Sequence, residues 1–238
     1  MKIVIIGAGN VGTNLRHGFQ TKGVEVPLIH AREILSGSSM LPLADVYIYA
    51  VADHALEEVI AHVNAPKALH LHTSGSMPVS VFGDDKPHAG ILYFFQTFSK
   101  DSLIENWNTI PVFIEGKNID DLAAVYTLAQ TFSSTIYETT QEERERLHVA
   151  GVFANNFTNL MYRYAAQILS STTIPFSVLL PLIDQTAAKV HSIPPKDAQT
   201  GPANRRDQAV ITHHKEILDG EKRTIYSLLT DEIMKGVD

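Results

Sequence analysis

The stretch Ile3-Val4-Ile5-Ile6-Gly7-Ala8-Gly9-Asn10-Val11-Gly12 sets four apolar residues directly before three glycines, and Leu15 and Phe19 then recur at helical spacing. Four consecutive branched aliphatics read as a buried strand, and the segment from Asn10 reads as a helix with one apolar face. The glycines at this junction have separate physical uses. Gly7 permits a tight turn, Gly9 lets the backbone approach a pyrophosphate, and Gly12 lets helix and strand pack closely. The helix N-terminus adds free N–H groups and partial positive charge. Residues Gly7, Ala8, Gly9, Asn10, Val11 and Gly12 are therefore expected to cradle a dinucleotide. A turn without a ligand and a methyl-donor site are the alternatives.

Short apolar runs at 24–29, 46–51 and 68–71, flanked by glycine, proline or polar turns, repeat the strand signal, and 91–95 and 111–115 are two further candidates. Strands alternating with helical patterns predict a doubly wound parallel sheet of the α/β class. From Glu142 the spacing turns helical. Phe153, Phe157, Leu160, Met161, Tyr164 and Ile168 form one stripe; Phe176, Leu179, Leu180, Ile183 and Val190 form a second after Pro175; Ile225, Leu228, Leu229 and Ile233 form a third. No strand-like alternation occurs after Tyr137. The charged stretch 141–146 marks the expected boundary between an α/β domain, 1–141, and an all-helical domain, 142–238.

In such a sheet, ligands lie at the carboxyl ends of the strands. The second strand ends Leu28-Ile29-His30-Ala31-Arg32, without the acid that normally meets an unphosphorylated adenosine ribose. Arg32 suits a 2′-phosphate, with Ser36, Ser38 or Ser39 as further donors, so NADP is expected over NAD. A solvated Arg32 is the plain alternative. The third strand ends in Ala50-Val51-Ala52, small residues that leave room for a cofactor, and Asp53 reads as a helix cap. His70-Leu71-His72-Thr73-Ser74-Gly75-Ser76 closes the next strand. Alternation puts His70 and His72 on one face, with Thr73 and Ser74 in the loop at the cofactor crevice. Donors beside the nicotinamide, a metal site completed by His88, and packed histidines without a role are the competing readings.

Three later polar blocks interrupt apolar surroundings. Gln96-Thr97 lies inside the run Tyr93-Phe94-Phe95-Gln96-Thr97-Phe98, where a buried amide needs partners. Asn155, Asn156 and Asn159, poor helix formers, come after His148 in an otherwise apolar helix. Thr200-Gly201-Pro202-Ala203-Asn204-Arg205-Arg206-Asp207 reads as a loop and helix start, serving as a cap or, with Arg205, as an anion site.

Composition narrows the classes. Over 238 residues, 45% hydrophobic and 19% charged side chains argue against a disordered chain. A net charge of −7 argues against nucleic acid as a partner. With no Cys, a disulfide framework, an iron–sulfur cluster, a thiolate zinc site and a thiol nucleophile are all excluded. The apolar run 3–6 is too short for a signal segment or a membrane span. A cytoplasmic protein without a membrane partner is expected.

In order along the chain, the glycine loop, His-Thr-Ser-Gly-Ser at 72–76, Gln-Thr-Phe at 96–98, Asn-Phe-x-Asn at 156–159 and Thr-Gly-Pro-Ala-x-Arg-x-Asp at 200–207 form one pattern. It resembles the oxidoreductases that join a Rossmann-like domain to the domain of unknown function 2520. In wider outline the chain is similar to the β-hydroxyacid dehydrogenase, ketopantoate reductase and pyrroline-carboxylate reductase group. These are NAD(P) enzymes whose helical second domain commonly forms the dimer. The resemblance implies an NADP-dependent reductase and a homodimer. It carries Gly7, Gly9 and Gly12 onto the dinucleotide loop, Ser74 onto a substrate-binding serine and Asn156 onto a helical asparagine. Three positions depart from the pattern. Val152 stands where hydroxyacid dehydrogenases carry a catalytic lysine, and no Lys lies between Lys117 and Lys189; Phe94 replaces a proline, and Arg206 a glycine.

The expected function is reduction of a small carbonyl or imine compound with NADP. Ala50, Val51 and Thr73 join the glycine loop and Arg32 around the cofactor. The substrate is expected between the 72–75 loop and the helical domain, with His72 and Ser74 as donors. Gln96 and Asn156 would complete a polar wall, and His148 is the reserve proton donor. A cofactor-binding sensor without turnover is the competing class.

Overall fold

All four side chains of β1 (Ile3–Ile6) are buried, as a strand covered on both faces requires. α1 (Asn10–Gln20) turns Gly12, Leu15 and Phe19 inward. Next along the chain come β2 (Leu28–Ile29), α2 (Ala31–Leu35), β3 (Val46–Tyr49), α3 (Asp53–Ala61), β4 (Leu69–His72), β5 (Ala89–Phe94), β6 (Val112–Gly116), α4 (Ile119–Ala129) and β7 (Ile136–Glu138). In this computed structural model, which describes residues 1–38 and 40–236, the strands form one sheet in the order β2-β1-β3-β4-β5-β6-β7. Side-chain alternation sends Ile3, Ile5, Ile48 and Phe94 into one core with Leu15, Phe19 and Phe132. Val4, Ile6, Tyr47 and Tyr49 enter the other with Leu56 and Phe82.

The sheet departs from the expected one in three places. β5 and β6 pair antiparallel, with Tyr93 opposite Phe113, while the other described pairs are parallel. The β5–β6 connection holds only a 3₁₀ turn at Trp107–Thr109, without the crossover helix that a parallel return requires. β2 is shorter than 24–29, because Pro27 has no N–H for a ladder, although its carbonyl accepts from the Ile5 N–H. β7 has no apolar run to announce it; only Ile136 is even half-buried.

After β7, α5 (Gln141–Gly151) opens on a capping box formed by Thr140 and Glu143. A π-helix, Val152–Phe157, leads to α6 (Thr158–Leu169), α7 (Leu180–Lys189), α8 (Pro195–Ala198), α9 (Gln208–Ile217) and α10 (Gly220–Lys235). By internal contacts the chain divides into Met1–Asn156 and Phe157–Asp238, so α5 goes with the sheet, whereas the change of spacing alone divides it at 141. Arg144 accounts for the difference. Its side chain is fully buried, pairs with Glu115 of β6 and donates to the Met77 carbonyl at 2.7 Å.

In the helical unit the loop before α9 ends in a cap: Asp207 Oδ1 accepts from the Val210 N–H at 3.2 Å. Arg206 has φ 55°, the left-handed region that favours glycine, the residue the resemblance implies at this position. Among the described residues, no helix is long and apolar enough to cross a membrane.

Candidate active site

Three glycines in one loop do two different jobs. A Cβ on Gly7, at φ 113°, would stand 2.3 Å from the Ala50 carbonyl oxygen, and one on Gly12 would stand 1.8 Å from that of Gly7. Both are demanded by the chain's packing on itself. Gly9 is exposed, and a Cβ there would meet nothing within 4 Å. The open backbone at Gly9, the N-terminus of α1 and the lack of an acid in its first turn fit a pyrophosphate. The Gly7 N–H donates to the Ile29 carbonyl at 2.8 Å, which brings the end of β2 beside this loop.

Two neighbouring cavities of about 390 and 430 Å³ open here, both lined within the unit Met1–Asn156. The first runs over the carboxyl ends of β1, β3 and β4, touching Gly9, Ala50, Val51, Asp53, Thr73 and Ser74. The second lies against Phe95, Thr97, Gly151, Asn155 and Asn156. The wide turn of the π-helix brings Ala154, Asn155 and Asn156 together to that wall. Asn10, Val11, Tyr93, Gln96, Phe98 and His148 line both cavities. The structure thus brings together most of the expected site residues. Gly7, Ala8, Gly12, Arg32 and His72 do not line either cavity.

His72 corrects an expectation. The face it shares with His70 is the core side of the sheet, and both side chains are fully buried. The His72 ring stacks on Phe82; Nδ1 accepts from the Ser74 N–H at 3.2 Å, and Nε2 faces the Pro78 carbonyl at 3.4 Å. Burial lowers its pKa to about 4, so it is neutral and enclosed near pH 7, not a donor to substrate. Its role is to shape the loop. Both ring nitrogens of His70 are likewise occupied, by Tyr49 Oη at 2.8 Å and the Ala65 carbonyl at 2.9 Å.

Ser74 stays at the cleft. Its Oγ accepts from the Ser76 and Met77 N–H groups at 3.1 and 3.0 Å and donates its proton to Ser76 Oγ at 3.3 Å, so the side chain holds the loop beside the cleft. Ser76 Oγ donates to Asp53 at 2.5 Å. Asp53 is therefore a loop anchor rather than the expected cap; Ala52 holds the N-cap position of α3. Gln96 is exposed, and its Oε1 accepts from the Thr97 N–H at 2.8 Å, leaving the amide NH₂ to donate.

A family model described as domain of unknown function (DUF2520) matches residues 110–233. The crystal structure of a Bacteroides fragilis protein, named as a candidate NADP oxidoreductase, is 37% identical, with 98% of each chain covered and a TM-score of 0.91. The chain belongs to the DUF2520 family. Two more distant structures share its fold. One is a Thermotoga maritima protein, 17% identical over 99% of this chain and 98% of that one, with a TM-score of 0.74. The other is a reductive aminase from Aspergillus terreus in complex with NADPH and ethyl levulinate, 13% identical over 100% and 96%, with a TM-score of 0.69. Curated protein sequences give no match.

In this DUF2520 chain Arg32 lies in the first turn of α2, exposed and without a side-chain partner among the described residues. Ser36 and Ser38 bond each other at 2.8 Å, and Ser39 lies outside the described residues. Three site residues escaped the sequence. Tyr93 sits beside Gln96 in the aromatic run, and its hydroxyl lies 3.1 Å from His148 Nδ1. Gly75 is the loop position against which that pair packs. Asn14, fully buried, donates to the Asn10 and Ser99 carbonyls and accepts from the Ile104 N–H, each at 2.9 Å, tying the segment after Phe98 to α1. A polar residue on the inward face of α1 was its signal.

Proposed function

We propose that the protein is an NADP(H)-dependent reductase of a small carbonyl or imine compound. The observation that carries this reading is the open cradle at Gly9 in a cleft continuous in its lining with an aromatic, amide-edged cavity. The 37% identical relative named for NADP oxidoreduction supports the same cofactor. Gly9, Asn10 and the α1 N-terminus would hold the pyrophosphate, and Arg32 the 2′-phosphate. The bound cofactor supplies a hydride. Gln96 and Asn156 supply donors that orient the acceptor group beside the Ser74 loop, and the lining aromatics exclude water.

The linings name a preference between substrate classes. Neither cavity wall contains Lys or Arg among the described residues, so an oxoacid's carboxylate finds no counter-charge there. Tyr93, Phe95 and Phe98 instead suit the cation that develops when an imine nitrogen takes up a proton. Imines are thus favoured over oxoacids. We also propose a homodimer formed by the helical unit. NADPH oxidation across a panel of cyclic imines, ketones and oxoacids tests the reading. Turnover is expected on imines; a protein that binds NADPH and reduces none of the panel contradicts it.

A further inference from the structure

Of the six residues that line both cavities, only Tyr93 and His148 are titratable, and they meet: Tyr93 Oη lies 3.1 Å from His148 Nδ1. The contact is backed on one side by the loop, with His148 itself exposed to solvent. A Cβ on Gly75 would stand 2.6 Å from Nδ1 and 2.9 Å from Oη, so the backbone of the Ser74 loop packs directly on the bond and a larger residue there would push the pair aside. The Tyr93 ring packs against Phe95 and Phe113. The helix carrying His148 is fixed at one end by buried Arg144 and at the other by Gly151, whose Cβ position lies 2.8 Å from the Phe95 ring. His148 Nε2 has no partner among the described residues. We propose that the two form the proton-delivery pair of the cleft, with His148 Nε2 giving the proton to the substrate and Tyr93 acting as a positioning residue. This role rests on the reductase reading.

The phenol suits the task because burial raises its pKa and keeps it protonated. Its hydroxyl both donates and accepts. Against neutral imidazole it donates to Nδ1, which leaves the ring proton on Nε2; against imidazolium it accepts from Nδ1–H. The ring therefore keeps one orientation in both charge states. In the step, the Nε2–H bond of the imidazolium breaks and the proton passes to the imine nitrogen. With the hydride of the cofactor delivered to carbon, C=N becomes an amine. The imidazole is left neutral with its remaining proton on Nδ1, held by Tyr93, and solvent returns the proton to Nε2. The pair also supplies what the missing lysine at Val152 does not.

The test uses Tyr93→Phe, which keeps the ring and removes the hydroxyl, with Gly75→Ala as a second variant that displaces the pair and His148→Gln as the loss of the donor. Nitrogen-15 NMR of histidine-labelled protein at mildly alkaline pH, where ordinary histidines are neutral, reads the tautomer of His148. The wild type should carry its proton on Nε2, and Tyr93→Phe and Gly75→Ala should lose that bias. With NADPH and a pyrroline as substrate, turnover should fall roughly 10- to 100-fold in Tyr93→Phe and roughly 10²- to 10⁴-fold in His148→Gln, with NADPH affinity unchanged. An Nδ1–H wild type, a tautomer indifferent to Tyr93→Phe, or full turnover in His148→Gln overturns the proposal. A wild type that binds NADPH but reduces no imine overturns the reductase reading and proton delivery with it, while the tautomer still decides the pairing.

Discussion

In the unit Met1–Asn156 both faces of the sheet are covered, and Ile5, Ile6, Ile48, Leu71 and Leu92 have no exposed surface. In Phe157–Asp238 the buried apolar residues among those described are Ala203 and Ile211, while Leu182 and Leu228 expose 64% and 60% of their surface. Both units carry strong apolar periodicity, so periodicity alone does not separate them. The difference is one of architecture. A sheet with helices on either side closes two cores within one chain, whereas a few helices with apolar stripes need a further surface to cover them. The first unit can hold a rigid ligand cradle by itself; the second leaves its apolar stripes exposed.

The largest effect is expected at the dimer surface proposed for the helical unit. The wild type should sediment as a dimer, and Leu182→Asp with Leu228→Asp as a monomer with intact helical circular dichroism. Each leucine contributes about 1.5–3 kcal/mol when covered. A wild type of monomer mass breaks the comparison at its weaker side. On the stronger side, Arg144→Met should lower stability by about 3 kcal/mol in urea unfolding, because Glu115 and the Met77 carbonyl lose their partner in a buried setting. A midpoint unchanged from wild type would detach α5 from the first unit.

A smaller effect should accompany a change of pH. Burial holds His70 and His72 at about 4 in the folded protein, below the ordinary value of about 6.5. The unfolded chain therefore takes up protons first as pH falls. Stability is full above about pH 6.5 and declines from there to about pH 4, by up to about 1.4 kcal/mol per pH unit for each histidine. Urea midpoints should fall across that window and fall less in His70→Gln. A flat profile would mean that these rings are not enclosed.

The fold was legible because four-residue aliphatic runs and a glycine loop admit few structures. Gly9, Ala50, Thr73, Ser74, Gln96, His148 and Asn156 were legible for a related reason: they are polar or small residues at strand ends or inside apolar runs, and they do line the cavities. His72 was misread because alternation gives a shared face and not which side of a two-faced sheet that face meets. Tyr93 was passed over because a tyrosine among phenylalanines looks like core. Only the approach of α5, fixed by Arg144, turns its hydroxyl into a partner for His148. Antiparallel pairing at β6 goes with a connection that holds a 3₁₀ turn instead of a crossover helix, which strand patterns do not reveal.

The most direct measurement is calorimetric titration of the protein with NADPH and with NADH, repeated for Arg32→Ala. NADPH should bind the wild type more tightly than NADH by about 10- to 150-fold, the equivalent of about 1.5–3 kcal/mol for a charge-assisted contact to the 2′-phosphate. Arg32→Ala should erase that preference and leave NADH binding as it was. Equal affinities in the wild type, or no binding of either nucleotide, would contradict a dinucleotide phosphate site built on Gly9 and Arg32.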